Sequence, residues 1–365
     1  MTLLVLLAAL ALALSNGAND NFKGVATLYG SGTTSYRVAL AWATFTTLAG
    51  SLVATAFAAS LIKTFSGSGL VAPVTAASPT FLAAVAIGAA ASVLLATRMG
   101  MPVSTTHALT GALVGAGFVA VGSAVDLRVL GAKFVAPLVF SPVVALVAAR
   151  VAYPLAHAVR VRLGIGRTSC ICVESEWIPI DVGGSASLAT PAIWIGTAPA
   201  CAERYDGTIV GITAQHALDA LHFVSAGAMS FARGLNDTPK IVAVLIAAGA
   251  LKHASSSTAT GLAIAAGGVL GARRVAETVS HRISTIPAGQ GLVANVVTAL
   301  LVGLATSAGL PVSTTHVATG TIIGIGMTNG TTRWRMIGRI FVAWVTTLPV
   351  AAIIAAICYA TLSRR

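Results

Sequence analysis

Polar residues in this chain arrive in short clusters between long apolar runs. The runs cover approximately residues 3–14, 38–62, 81–97, 108–125, 134–158, 208–232, 241–272, 288–308, 317–328 and 337–362. Most approach the roughly 20 residues that an α-helix needs to cross a hydrocarbon core. The pattern predicts an all-α polytopic membrane protein with about ten to twelve membrane segments, some broken or re-entrant. The first run, Leu3 to Leu14, is the exception. At about 1.5 Å per residue it reaches only about 18 Å, short of a core of about 30 Å, so it is expected to stop near Ser15 without spanning alone. A signal peptide fits it less well, because no positively charged segment precedes the apolar stretch.

Composition agrees with the pattern. Of the 365 residues 56% are apolar and only 9% charged, against roughly 25% charged in soluble domains. The mean hydropathy is +0.90. The 37 glycines suit close approach of helix backbones in a bilayer. The net charge of +12 is read as cytoplasmic loop charge, which makes the lipid bilayer the partner and nucleic acid no partner. Cys170, Cys172 and Cys201 share one loop and Cys358 lies in an apolar run, which is no disulfide framework. Cys170-x-Cys172 lacks the His partners of a zinc site, so neither a metal nor an organic cofactor is expected.

Two motifs recur in the same order. Gly17-Ala18-Asn19-Asp20-Asn21-Phe22-Lys23 is echoed by Gly234-Leu235-Asn236-Asp237-Thr238-Pro239-Lys240, 217 positions later. Gly100-Met101-Pro102-Val103-Ser104-Thr105-Thr106-His107 is echoed by Gly309-Leu310-Pro311-Val312-Ser313-Thr314-Thr315-His316, 209 positions later. This order implies two homologous transmembrane repeats, 1–160 and 205–365, joined by a polar linker at 161–204. The helices are expected to break at Ser15 to Lys23, Gly100 to His107, Gly234 to Lys240 and Gly309 to His316. Arg273, Arg274, Arg282, Arg333, Arg335 and Arg339 flank the second Ser-Thr-Thr-His element, whereas Lys63, Arg128 and Lys133 occupy the matching first-half loops. With inverted repeats the richer set is cytoplasmic. The linker, carrying Arg160, Arg162, Arg167 and Arg204, then lies inside and both termini outside, although Arg364 and Arg365 oppose this. Linker thiols would stay reduced there.

Asp20 and Asp237 border apolar segments, where a carboxylate marks a pathway or site unless it merely caps a surface helix. Lys23 and Lys240 follow each Asp by three residues, a spacing that lets the charges meet on a helix. Pro102 and Pro311 fit the first position of new helices. Ser104, Thr105, Thr106 and Ser313, Thr314, Thr315 then fall in first turns, whose free amides and positive dipole end favour an anion. A Pro-kinked helix with hydroxyls bonded back onto it is the plainer alternative. His107 and His316 are expected to orient the Thr hydroxyls rather than to contact a ligand. Paired carboxylates beside an anion favour one that carries its own proton, phosphate over sulfate. His216, Asp219 and His222 share a helical face, read as packing against the linker rather than as a proton relay or metal pair. Arg233 lies at a membrane edge or pairs with Asp237; spacing leaves both open.

Asn16-Gly17-Ala18-Asn19-Asp20, the second Gly-x-Asn-Asp and the doubled Pro-Val-Ser-Thr-Thr-His resemble the PiT-type inorganic phosphate transporters, over both halves but not the linker. The resemblance implies a secondary transporter, not an enzyme, in a plasma or inner cell membrane. It implies inorganic phosphate bound between the repeats by Asp20, Asp237 and hydroxyls among Ser104, Thr105, Thr106, Ser313, Thr314 and Thr315, with His107 and His316 supporting. Where the family signature Gly-Ala-Asn-Asp-x-x-Asn ends in Asn, this chain has Lys23 and Lys240, and Leu235 replaces Ala. Asn19, Lys23, Asn236 and Lys240 are therefore read as coupling or charge-compensating residues, with ammoniums in place of sodium. Transport is then proton-coupled or gradient-driven; a sodium site using Asn21, with snorkelling lysines, is the competing expectation. Other readings are a permease for sulfate or another tetrahedral oxyanion, an anion channel, or an intramembrane hydrolase using Ser104 or Thr105, His107 and Asp20. Duplication of every element weighs against the hydrolase. A homodimer is compatible with the sequence.

Overall fold

The structure, a computed structural model, describes residues 1–57, 59–67, 69–166, 169–174, 177–178, 187–188, 192–197 and 211–364. Its main helices in the first half are α1 (Thr2–Asp20), α2 (Tyr36–Phe57), α3 (Pro79–Arg98), α4 (Thr105–Val121) and α5 (Ala136–Arg162). Those of the second half are α6 (Ala214–Ala247), α7 (His253–Gly271), α8 (Ala288–Ser307), α9 (Thr314–Asn329) and α10 (Trp334–Leu362). Seven helical stretches among the described residues are long and apolar enough to cross a bilayer, and the chain is a multi-pass cell-membrane protein.

Packing repeats with the motifs. Helix α1 lies against α3 and α7, and its counterpart α6 lies against α8 and α2. Helix α4 packs on α10 and α9 on α5, while α2 and α7 meet each other. The matching helices α1 and α6 run antiparallel: Asn16 meets Asp237, Asn21 meets Arg233 and Thr27 meets His222. Close approach explains the signature glycines. A Cβ on Gly17 would collide with the carbonyl oxygen of Ile264, and one on Gly234 with that of Thr47.

Three expectations about local structure are corrected. The first run does not stop at Ser15: α1 continues to Asp20, tightens into a 3-10 turn at Asn21–Val25 and ends in a short helix at Ala26–Gly30. Its polar side chains find partners without a break in the helix, Ser15 Oγ donating to Ala11 O at 2.8 Å and Asn16 Nδ2 reaching Asp20 one turn on. The second signature is no break either. It lies inside the 34-residue α6 with Pro239 in the helix, where a neighbouring hydroxyl pair, Thr238 Oγ1 donating to Ser51 Oγ at 2.8 Å, accompanies the interruption. The two Ser-Thr-Thr-His elements do interrupt the helices, through Gly100 and Gly309 at φ of 69° and 70°. Yet the new helices begin at Thr105 and Thr314, not at the prolines, because Ser104 and Ser313 take the N-cap position.

Short strands lie within the linker and just after it. Strand β1 (Ser169–Glu174) pairs antiparallel with β4 (Ala192–Thr197) and β5 (Gly211–Thr213), and β2 (Trp177–Ile178) pairs with β3 (Ser187–Leu188). Cys170 stands opposite Gly196 and Thr213. Arg167, Cys201, Arg204 and Arg365 lie outside the described residues.

Candidate functional site

The duplicated motifs meet in one buried polar centre between the halves. Lys23, only 5% exposed, forms an ion pair with Asp20. Its Nζ also donates to Asn19 Oδ1 and Val103 O, each at 2.9 Å, and to Thr315 Oγ1 at 2.6 Å. Lys240, fully buried, mirrors it, donating to Asp237 Oδ1 at 3.1 Å, Val312 O at 3.0 Å and Thr106 Oγ1 at 2.8 Å. Each ammonium therefore binds a carboxylate of its own repeat and a hydroxyl of the other. Neither snorkels, since internal oxygens surround both. An ammonium removed from water is tolerable only when paired and hydrogen-bonded in this manner.

Asparagines tie the signatures to the helix interruptions. Asn19 Nδ2 donates to Thr97 Oγ1 and Met101 O at 2.8 and 3.0 Å, and its Oδ1 accepts from Val103 N at 3.0 Å. Asn236 Oδ1 accepts from Thr306 Oγ1 at 3.1 Å, and its Nδ2 reaches Val312 O at 3.4 Å. Thr97 and Thr306, which motif reading overlooks, share the same 209-residue offset. Asn16, in the sequence no more than a signature residue, has its Nδ2 3.0 Å from Asp20 Oδ2, 3.3 Å from Asp237 Oδ2 and 2.8 Å from Thr105 Oγ1. Thr105 Oγ1 in turn donates to Asp20 Oδ2 at 3.1 Å. One amide group thus bridges both carboxylates.

The Ser/Thr positions divide by task. Ser104 Oγ and Ser313 Oγ each accept the amide N–H of the following His at 3.2 Å. The first intrahelical bonds come from Ala108 N to Ser104 O and from Val317 N to Ser313 O, so the amides of Thr105, Thr106, Thr314 and Thr315 precede them. Thr315 Oγ1 donates to Val103 O at 2.8 Å and Thr106 Oγ1 to Val312 O at 3.3 Å, joining each interruption to the other. Thr314 is buried beside them.

The histidines do not orient the threonine hydroxyls, contrary to expectation. The rings of His107 and His316 meet edge to face at a centroid distance of 4.4 Å, and His316 packs on Trp344 at 3.9 Å. His316 Nδ1 lies 3.2 Å from Leu138 O, and Trp344 Nε1 donates to Pro102 O at 3.1 Å. The pair holds the two interruptions against α5 and α10, because the hydroxyls are already engaged by lysines and carbonyls.

Of the two alternatives for Arg233, the structure shows the pairing with Asp237. Arg233 is 1% exposed, with Nη1 3.8 Å from Asp237 Oδ2 and Nη2 donating to Asn21 Oδ1 and Thr47 Oγ1 at 3.2 and 3.3 Å. His216, Asp219 and His222 do not act as one face. His216 is exposed, Asp219 accepts from Gln215, and His222 is buried with Nε2 2.9 Å from Thr27 Oγ1. Asn295 completes that cluster through Thr27. Two clefts reach the interruptions from α5 and α10. One, about 740 Å³, is lined by Met99, Met101, Arg335 and Arg339; the other, about 310 Å³, by Ala136, Pro137, Phe140, Leu310 and Val312.

The signatures of the two halves thus enclose one polar centre between the antiparallel helices α1 and α6. The profile of the phosphate transporter family matches residues 16–355, and the chain belongs to this family. It is 28% identical to a probable low-affinity inorganic phosphate transporter of Mycobacterium leprae (strain TN), over 98% of this chain and 77% of that protein. A protein of the same description from Rhizobium meliloti (strain 1021) is also 28% identical, over 94% of this chain and 91% of its own. The fold resembles a solved structure titled "The sodium-dependent phosphate transporter", with a TM-score of 0.76, 22% identity and coverage of 100% of this chain and 99% of the other.

Proposed function

We propose that the protein carries inorganic phosphate across the cell membrane by alternating access, the two repeats exchanging position around the centre that they share. The observation that carries this reading is the crossed pair of lysines, each bonded to a carboxylate of its own repeat and a hydroxyl of the other. Such bonds join the repeats when the centre is closed and must part when either side opens. Phosphate would be held by the first-turn amides and hydroxyls of Thr105, Thr106, Thr314 and Thr315, with Asp20 and Asp237 accepting its protons. Ser104 and Ser313 would contribute by fixing those first turns as caps.

The oxygen shell of Lys23 supports a particular coupling. A carboxylate, an Asn carbonyl, a backbone carbonyl and a hydroxyl are the hard oxygen donors that a bound alkali cation would take. The tethered ammonium supplies that charge permanently, so transport needs no sodium and follows the proton or phosphate gradient. The antiparallel run of α1 and α6 supports inverted repeats, with the linker on the cytoplasmic side. Reconstituted protein should show saturable uptake of labelled phosphate into proteoliposomes, with sulfate a poor competitor at neutral pH. Equal competition by sulfate would favour a general tetrahedral-oxyanion permease, in which the ion-paired carboxylates no longer discriminate.

A further inference from the structure

The cleft of about 740 Å³ runs along α10, where Arg335, Arg339, Val342 and Thr346 recur every three or four residues and so share one face of the helix. At about 1.5 Å per residue this stripe is about 16 Å long. One end is cationic and the other apolar. Trp334, the first residue of α10, is 62% exposed, and an exposed Trp at the end of a membrane helix marks the level of the lipid headgroups. Arg335 and Arg339 stand at that level, whereas the exposed Phe341, Val342 and Val345 follow towards the hydrocarbon. Other cations at this end are engaged: Arg274 Nη1 donates to Arg98 O and Arg333 Nη1 to His281 O, each at 2.8 Å. Arg335 and Arg339 form no ion pair or hydrogen bond with the described residues. Gly338 lines the cleft between them. A Cβ there would meet nothing within 4 Å, so this glycine, unfavourable inside a helix, serves no close helix contact and leaves the cleft open.

We propose that this cleft binds one anionic phospholipid, its phosphodiester between Arg335 and Arg339 and an acyl chain along Val342, Ala343 and Thr346. Charge complementarity selects the headgroup. Guanidiniums grip phosphate oxygens through paired N–H donors, and a headgroup that ends in an amine sets its own cation against them. The apolar end selects a lipid over a free anion, because inorganic phosphate has nothing to place beside Val342. One phosphodiester cancels one of the two guanidinium charges, so the cleft stays positive towards water. The site also adjoins the first helix interruption. Met101 of the cleft precedes Pro102, whose carbonyl accepts from Trp344 Nε1 of α10 at 3.1 Å. A lipid seated in the cleft therefore braces α10 against that interruption.

The test adds phosphatidylglycerol or phosphatidylcholine back to the delipidated full chain in detergent and reads bound lipid by native mass spectrometry, with thermal unfolding alongside. Phosphatidylglycerol stays bound at one per chain and raises the unfolding temperature, because a ligand of the folded state stabilises it; phosphatidylcholine does neither. Inorganic phosphate displaces no more of the lipid than chloride does at equal ionic strength. Arg335→Ala with Arg339→Ala weakens phosphatidylglycerol binding by about tenfold or more. Gly338→Leu, which keeps both charges and fills the cleft, weakens it similarly. Equal retention of phosphatidylcholine, specific displacement by inorganic phosphate, or unchanged phosphatidylglycerol binding in either variant overturns the proposal. Loss of a dimer rather than of lipid in Gly338→Leu overturns it in favour of a second copy of the chain. Should the double arginine variant fail to fold, Gly338→Leu and the lipid comparison on the unmodified protein decide alone.

Discussion

The ammonium of Lys23 lies 2.6 Å from the hydroxyl of Thr315, a residue 292 positions later in the chain and in the opposite half. The same bond is made in reverse by Lys240 and Thr106 at 2.8 Å. Two charges thus clasp the repeats at the depth where both helix interruptions sit. Thr106→Val and Thr315→Val keep the side-chain shape but leave a buried ammonium short of one oxygen. Each should lower stability by about 1–3 kcal/mol, and the two should act alike. Thermal unfolding in detergent measures this; a loss for one variant only would break the symmetric account.

The carboxylates are held by partners that cannot spare them. Asp20→Asn removes the counter-charge of Lys23 inside the protein, and a broken buried pair costs about 3–5 kcal/mol. Replacing Lys23 by Met as well removes the uncompensated charge and should restore much of the unfolding temperature without restoring uptake. If the double variant is no more stable than Asp20→Asn, the ion pair is not what holds the site.

The basic cleft at Arg335 and Arg339 has a nearly charge-free counterpart at Ala136, Pro137 and Phe140. Clustered exposed cations raise the local concentration of an anion, and salt screens this effect. Arg335→Ala with Arg339→Ala should therefore raise the phosphate KM at low ionic strength and have little effect at high salt. An increase independent of salt would assign these arginines to structure rather than to attraction.

Much of this arrangement was legible in the sequence because duplication makes a short motif readable twice. The i, i+3 spacing of Asp20 with Lys23 and Asp237 with Lys240 correctly placed two ion pairs. Helix interruption could not be judged from polarity alone. Gly100 and Gly309, with positive φ, do break the chain, but Asn16 to Asp20 stay helical, with Asn16 Nδ2, Asn19 Nδ2 and Asp20 Oδ2 bonded to hydroxyls of Thr105 and Thr97 on facing elements. The helix starts lie three residues beyond the prolines, since a serine that accepts the N3 amide outcompetes a proline as the start signal. Spacing alone does not place Arg233, because its position depends on Asn21 and Thr47, contacts that no local spacing contains. The His222, Thr27 and Asn295 cluster was also missed. At the offsets of the repeat its counterparts are Val5, Val244 and Ala86, all buried in the apolar core, so only comparison of the two halves in space exposes it.

The measurement that tests the account most directly is uptake of labelled phosphate by the unmodified protein in proteoliposomes with all sodium replaced by choline. The lysine ammoniums already occupy the oxygen shells that a cation would need, so uptake should be unchanged. Lys23→Asn together with Lys240→Asn should make it dependent on sodium. Strict sodium dependence of the unmodified protein would contradict the account.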